Sequence, residues 1–99
     1  MKTTVVIPNY NGRNYLQDCL TSLLEGSEVP AIIVVDNGSA DESAAMVKER
    51  FPMVKLIALP ENRGFSAAVN IGIREAGTEY VFLLNNDTVV LKDTIEELE

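Results

Sequence analysis

The feature that most constrains this chain is a regular alternation of short apolar runs with stretches of helical periodicity. Alternation of this kind is typical of a doubly wound α/β fold, in which helices connect the strands of a mostly parallel sheet and cover both of its faces. Strands are predicted at residues 5–7, 31–35, 54–59 and 80–84, and helices from 13 to about 25, from 39 to 51, between 64 and 77, and from 92 to 99.

Local signals place the starts of the first two helices. Asn11 is a plausible N-cap for the first helix. Ser39 and Glu42 have the spacing of a capping box, so the second helix is predicted to begin at Ser39. The run at residues 80–84 is apolar throughout, which predicts a strand buried on both faces.

Composition and charge exclude several classes of function. Fifteen acidic and eight basic residues give a net charge of −7, the wrong sign for a nucleic-acid partner. The absence of histidine excludes a Ser-His-Asp or Cys-His catalytic pair within the chain. Three consecutive aliphatic residues before Pro8 are far short of a signal peptide or a membrane span. The single cysteine fits a reducing compartment, so a cytoplasmic location is expected.

Polar segments follow all four predicted strands. Because the carboxyl ends of parallel strands meet at one edge of the sheet, these segments predict a ligand crevice there. Neither of the two common glycine-rich phosphate loops follows the first strand, which excludes dinucleotide oxidoreductases and P-loop hydrolases. The segments are Pro8-Asn9-Tyr10-Asn11, Asp36-Asn37-Gly38-Ser39, Asn62-Arg63-Gly64 and Asn85-Asn86-Asp87.

Two aspartates are the candidates for chemistry at this edge. Asp36 ends an apolar strand and either caps the following turn or accepts a hydrogen bond from a ligand. The role of Asp36 in ligand binding is favoured, because residues 37–39 alone suffice to make the turn and the cap. Asp87 offers a hard oxygen to Mg²⁺ or Mn²⁺ shared with a diphosphate, with an Asx turn as the alternative. Both carboxylates are expected to face one hollow.

Two further side chains have open interpretations. Arg63 either faces a phosphate at the start of the third helix or is a solvated surface charge. Tyr10 either lies against a nucleobase or covers the end of the first helix.

Taken together, the motifs resemble the nucleotide-binding half of a GT-A-fold family 2 glycosyltransferase. The resemblance covers essentially all 99 residues, and four motifs occur in the family's order. They are Val6-Ile7-Pro8-Asn9-Tyr10-Asn11-Gly12, Val34-Val35-Asp36-Asn37-Gly38-Ser39-Ala40-Asp41, the segment from Asn62 to Ile73, and Leu83-Leu84-Asn85-Asn86-Asp87-Thr88.

The resemblance implies specific roles for residues at this edge. The donor it implies is a UDP- or dTDP-sugar, and the metal is Mg²⁺ or Mn²⁺. Asn85 stands where the family's metal motif has its first Asp, so weaker metal binding is expected. Val69 stands where many members have an Arg, so that contact is not transferred. The implied nucleotide-binding residues are Pro8, Asn9, Tyr10, Asp36, Arg63, Asn70 and Asn85, and the implied metal ligand is Asp87.

The family's reaction is hexosyl or rhamnosyl transfer to an acceptor hydroxyl with inversion. Its catalytic base lies beyond the metal motif, so none of the catalytic residues is expected within residues 1–99, and this fragment is expected to bind donor without completing transfer. The implied sheet order is 3-2-1-4 in a three-layer Rossmann-like arrangement. The fourth strand is then an edge, which conflicts with its apolar sequence and suggests a single subdomain of a larger, truncated glycosyltransferase domain.

The exposed fourth strand supports a rival interpretation from another class. A non-catalytic interaction or regulatory domain of the same fold would use that strand to recognise a partner protein. A homodimer formed through the same edge is also expected. The full-length protein is expected to be cytoplasmic, or peripheral to a membrane.

Overall fold

A computed structural model describes residues 3–26 and 28–89 of the chain. The predicted helix at 92–99 lies outside the described residues. Within the described ranges, no helix is long and apolar enough to cross a bilayer. The elements are β1 (Thr3–Asn9), α1 (Arg13–Leu24), β2 (Ala31–Asp36), α2 (Ser43–Arg50), β3 (Lys55–Ala58), α3 (Phe65–Glu75) and β4 (Tyr80–Leu83).

The four strands form one parallel sheet in the order β3-β2-β1-β4. Strands that are consecutive in the chain are joined through a helix, which confirms the predicted doubly wound topology. In the register of β1 and β2, Asn9 lies opposite Asp36, so these two strands end at the same level. The loops that follow them therefore start side by side.

The core lies on both faces of the sheet because successive strand side chains point in opposite directions. Val5 and Ile7 of β1 pack under α1 and α2, whereas Val6 packs under α3. A β-carbon at Gly72 of α3 would overlap Cγ1 of Val6. Gly72 therefore allows the close approach of α3 to the sheet.

Strand β1 runs two residues further than predicted, through Pro8 to Asn9. The carbonyl of Val6 accepts a hydrogen bond from the N–H of Leu84, and the carbonyl of Asn9 accepts one from the N–H of Asn37. The backbone N–H and C=O groups of even-numbered residues in β1 therefore point toward β4, and those of odd-numbered residues toward β2. At the level of Pro8 the paired residues of β4 have already ended. The missing N–H of Pro8 therefore costs no hydrogen bond of the sheet.

The predicted burial of β4 on both faces is wrong. Tyr80 and Leu83 are each 46% exposed, at the two ends of the strand. The physical reason is position: β4 pairs with β1 on one side, and α3 lies over β1 and β2. An apolar sequence indicates what a strand tends to bury and does not say what covers it. β3, at the other edge, carries the exposed charge of Lys55, which discourages pairing with another chain.

The predicted N-cap of the first helix is also wrong. Gly12 occupies the cap position of α1, and Asn11 lies in the left-handed region with φ 51°. The Oδ1 of Asn11 accepts instead from the N–H of Ala40 at 2.8 Å. The backbone N–H of Arg13 donates to Asp41 Oδ2 at 2.9 Å, so a distant carboxylate stabilises the start of α1.

The capping box predicted from Ser39 and Glu42 does not form either. α2 begins at Ser43, whose N–H donates to Asp41 Oδ1 at 3.0 Å, while Ser39 binds Asp36. Burial opposes ionisation of Asp41, but hydrogen bonds from the Ser43 hydroxyl and from backbone N–H groups outweigh it and lower its pKa. Asp41 therefore stabilises the first turns of both α1 and α2.

Candidate functional site

The loops at the carboxyl edge are joined by one chain of side-chain hydrogen bonds, which we call the edge network (Asn86, Asn9, Asp36 and Ser39). Nδ2 of Asn86 donates to Oδ1 of Asn9 at 2.8 Å. Nδ2 of Asn9 donates to Oδ1 of Asp36 at 3.0 Å, and the Ser39 hydroxyl donates to the same oxygen at 2.7 Å. The network spans from the loop after β4, across the end of β1, to the loop after β2.

Asp36 is an internal member of this network. Asp36 is 3% exposed, and its Oδ2 accepts a hydrogen bond from the N–H of Ser39 at 3.1 Å. Both carboxylate oxygens of Asp36 therefore already accept hydrogen bonds within the protein, and its predicted contact with a ligand stays a prediction. Asp36 ends β2 and Asp87 follows β4, the two strands that flank β1, so both residues lie at the same edge of the sheet.

Asn37, the next residue, holds the loop before α3. Its Oδ1 accepts from the N–H of Arg63 at 2.8 Å, and its Nδ2 donates to the carbonyl of Gly64 at 3.0 Å. The N–H of Asn37 also donates to the carbonyl of Asn9 at 2.8 Å. The loop at residues 61–64 is therefore fixed to the ends of β1 and β2.

A cavity of about 220 Å³ opens between these loops. This volume is below the range of about 300–1,000 Å³ typical of sites for whole drug-sized ligands, so it suits one part of a larger ligand. The residues that line it are Pro8, Asn9, Tyr10, Asn37, Asn62, Gly64 and Phe65.

Two aromatic rings flank this cavity. Tyr10 is 52% exposed and Phe65 is 57% exposed, so both keep large faces accessible to a ligand. Of the two interpretations of Tyr10, the structure favours the ligand-facing one, because a ring that covered the end of α1 would be more deeply buried. Exposed aromatic faces beside a cavity are suited to stacking on a planar group.

The other residues predicted for the nucleotide lie around the cavity or away from it. Arg63 is exposed and belongs to the loop that Asn37 fixes. Asn85 is exposed after β4, and Asn70 is exposed on α3 and is not among the residues that line the cavity. Only Pro8, Asn9 and Tyr10 of the predicted set line it directly.

Asp87 lies exposed in the turn after β4. A backbone hydrogen bond from Thr88 to the carbonyl of Asn85, at 3.1 Å, closes this turn. Burial and, to a smaller extent, the charge of Asp87 raise the pKa of the Cys19 thiol to about 11. Cys19 is therefore a neutral, buried packing residue of α1 rather than a nucleophile.

The metal-coordinating side chains at this edge fit a metal ion that is held jointly by the protein and a bound ligand. Among residues 3–26 and 28–89 there is no group of three or more His, Cys, Asp or Glu side chains that would hold an ion by itself. Mg²⁺ commonly uses one or two carboxylates together with substrate phosphates and water. Asp87 suits that role, because its carboxylate belongs to an exposed residue beside the edge network.

A larger groove, of about 460 Å³, lies at the opposite edge of the sheet. Thr4, Ala31 and Thr78, at the amino ends of β1, β2 and β4, border it, and so does the exposed ion pair of Lys55 and Glu75. We assign the functional site to the smaller cavity because amide and aromatic side chains from three loops meet there, at the edge where open parallel sheets bind ligands.

Four residues of the cavity were not among the predicted site residues: Asn37, Asn62, Gly64 and Phe65. Asn37, Asn62 and Gly64 lie in segments that the sequence had marked, so their position after strands was the available signal. Phe65 had a weaker signal, an aromatic residue at the start of a helix rich in small residues.

Comparison with known proteins identifies the family of this chain. The family described as "Glycosyl transferase family 2" matches residues 4–98. The chain is 37% identical to glycosyltransferase GlyA of Streptococcus pneumoniae over 98% of this chain and 14% of GlyA. It therefore spans a small part of that relative's length.

Two solved structures share the fold. TarS 1–349 of S. aureus in complex with UDP has a TM-score of 0.90 and 26% identity, over 99% of this chain and 31% of that one. The mannosyltransferase PcManGT of Pyrobaculum calidifontis, in complex with GDP-Man and Mn²⁺, has a TM-score of 0.82 and 28% identity, over 95% of this chain and 30% of that one. The fold, the motif order and the match over residues 4–98 together place this chain in glycosyltransferase family 2, with the GT-A fold.

Proposed function

We propose that this chain binds the nucleoside diphosphate part of a sugar donor, as the donor-binding subdomain (residues 1–99) of an inverting glycosyltransferase. The observation that carries the proposal is the cavity between Tyr10 and Phe65, joined through the edge network to the loop that bears Asp87. The UDP and UDP-GlcNAc complexes of TarS support a nucleotide-sugar ligand.

The nucleobase would occupy the cavity. Tyr10 and Phe65 would stack on it, and the polar groups of Asn9 and Asn37 would contact its edge. Asp36 then acts indirectly, by holding Asn9 and the turn at Ser39. The donors we propose are UDP- and dTDP-sugars of hexose or rhamnose type.

The diphosphate would lie across the edge from the cavity toward Asp87. Asn85 would contact the ribose, while the exposed Arg63 would contact a phosphate; Asn70 is the more distant candidate on α3. Asp87 would hold Mg²⁺ or Mn²⁺ together with the phosphates. When bound, the metal compensates the negative charge that develops on the leaving diphosphate. PcManGT, which contains GDP-Man and Mn²⁺ in its structure, supports such a metal.

The proposed chemistry is one displacement at the anomeric carbon. The acceptor oxygen forms a bond to that carbon from the face opposite the diphosphate, and the bond between the carbon and the diphosphate oxygen breaks. The acceptor proton passes to a base that we place outside residues 1–99. The residues of this chain bind and orient the donor, so the fragment alone is proposed to be inactive in transfer.

We expect metal-dependent nucleotide binding that requires Asp87. Isothermal titration of UDP, dTDP and GDP, with and without Mn²⁺, measures it. Asp87→Asn is expected to weaken the binding of UDP in Mn²⁺ by about 10- to 100-fold, because the metal loses its charged ligand. Asp18→Asn, on the exposed face of α1, is the control and is expected to bind as the unmodified chain does.

Equal affinity for UDP with and without Mn²⁺ would contradict the metal role of Asp87. Failure of all three nucleotides to bind would contradict the donor site itself. A cytoplasmic location is part of the proposal and fits the single, buried Cys19.

One observation favours a second activity, self-association or partner binding through β4. Tyr80 and Leu83 expose apolar surface on an edge strand whose sequence, YVFL, carries no charge. We propose a homodimer formed through this edge. Sedimentation is expected to show dimers that Leu83→Lys converts to monomers, because an edge charge opposes strand pairing. A monomer for the unmodified chain at high concentration would contradict the proposal.

A further inference from the structure

We propose that Asn9 and Asn86 form a positioning bridge that fixes the metal-side loop (residues 85–88) to the nucleobase cavity. The inference rests on the proposed function and adds to it a reason why nucleoside and diphosphate would bind in one geometry. Neither residue is proposed to be a catalytic residue. Each acts through its neighbour: Asn9 through the cavity that it lines and Asn86 through Asp87, which follows it.

Chemistry fixes the direction of every bond in the bridge. An ionised carboxylate only accepts, so Asn9 must turn its Nδ2 toward Asp36. Its Oδ1 then faces the opposite way and requires a donor. Nδ2 of Asn86, at 2.8 Å, is that donor. Asn9 is 2% exposed, so an unmet Oδ1 would be costly.

The bridge matters because, among residues 3–26 and 28–89, few other hydrogen bonds tie the metal-side loop to the rest of the structure. The N–H of Leu84 donates to the carbonyl of Val6 at 3.0 Å, just before the loop. Within the loop, the bond from Thr88 to Asn85 is internal, and the Cys19 thiol reaches the Asn85 carbonyl at 3.9 Å, a weak contact. Within the described part of the chain, the hydrogen bond from Asn86 to Asn9 is therefore the strong contact that ties the loop bearing Asp87 to the cavity.

Gly12 provides independent evidence for the bridge, because its lack of a side chain leaves room for the two amide groups. A β-carbon at Gly12 would overlap Nδ2 of Asn86 and would lie 2.9 Å from Oδ1 of Asn9. The φ of Gly12 is −113°, which other residues adopt, so its backbone does not require glycine. What requires glycine is the bridge that passes over it. Gly12→Ala therefore breaks the bridge without changing either amide.

The test compares two ligands on the 99-residue chain: UDP with Mn²⁺, which engages both sides of the site, and uridine, which engages only the cavity. Asn86→Ala and Gly12→Ala are each expected to weaken UDP binding about tenfold, the equivalent of one hydrogen bond, while uridine binding changes less than about twofold. Asn14→Ala, exposed on α1, is the control.

Two further variants separate positioning from general loss of structure. Asn86→Gln keeps a donor amide and is expected to recover part of the UDP affinity. The double variant of Gly12→Ala and Asn86→Ala is expected to be no weaker than the weaker single variant, because both remove the same bond.

The outcomes distinguish the two proposals. If the unmodified chain binds none of UDP, dTDP and GDP, the proposed function fails and the bridge fails with it. If the unmodified chain binds UDP with Mn²⁺ and both single variants bind it at full affinity, the bridge alone fails. Equal weakening of uridine and UDP would also overturn the bridge, since the effect would then lie in the cavity.

Discussion

Asp36→Ala is expected to lower the free energy of unfolding by about 3–5 kcal/mol, because it removes a buried charge that accepts three hydrogen bonds. The donors left behind include Nδ2 of Asn9, at a residue that is 2% exposed. The hydroxyl and the N–H of Ser39 also lose their acceptor. Urea denaturation followed by circular dichroism measures the change.

The matched variants identify the cause. Asp36→Asn keeps the shape of the side chain but places an NH₂ group where a carboxylate oxygen accepted a hydrogen bond. About half of the loss in the free energy of unfolding, ~2 kcal/mol, is therefore expected. Asp18→Ala removes an exposed carboxylate from α1 and is expected to stay within about 0.5 kcal/mol. A cost below about 1 kcal/mol for Asp36→Ala, together with lost nucleotide binding, would contradict the structural role and return Asp36 to the ligand.

Gly38→Ala is the second substitution with a large expected effect. Gly38 has φ +75°, and a β-carbon there would lie 2.6 Å from the carbonyl carbon of Glu61 and 2.8 Å from the backbone nitrogen of Asn62. These are backbone atoms, so no side-chain rotation relieves the contact. Left-handed strain and overpacking together are expected to cost about 2–4 kcal/mol.

The same substitution is expected to weaken nucleotide binding. Displacing Glu61 and Asn62 moves the loop whose Gly64 lines the cavity. Gly77→Ala is the control, because a β-carbon there has no neighbour within 4 Å and its φ is not positive. Thermal unfolding and UDP titration measure the two effects. Unchanged stability and affinity in Gly38→Ala would contradict the close approach of the two loops.

The architecture was predictable because it depends on local patterns. The alternation of apolar runs and helical stripes predicts the element order and the common edge at which Asn9, Asp36 and Asp87 emerge. The cavity position of Tyr10 follows from the same rule, since it directly follows the central strand β1.

The direction of side chains was less predictable, because it depends on contacts between distant residues. Asp36 turns inward because Asn9, 27 positions earlier, donates to it. Asp41 stabilises the start of α1 through Arg13, 28 positions earlier, and no local motif encodes that contact. The exposure of β4 likewise depends on which elements lie over it.

The central claim is that one edge of the sheet binds the nucleoside in the cavity and the diphosphate near Asp87. The most direct measurement is a ¹⁵N-resolved NMR titration of the chain with UDP in the presence of Mg²⁺. The amide signals of Tyr10, Asn37 and Gly64 are expected to shift together with that of Asp87, while Thr78 at the opposite groove stays unchanged. Shifts confined to the groove around Thr78, with the cavity signals unmoved at saturating UDP, would contradict the account.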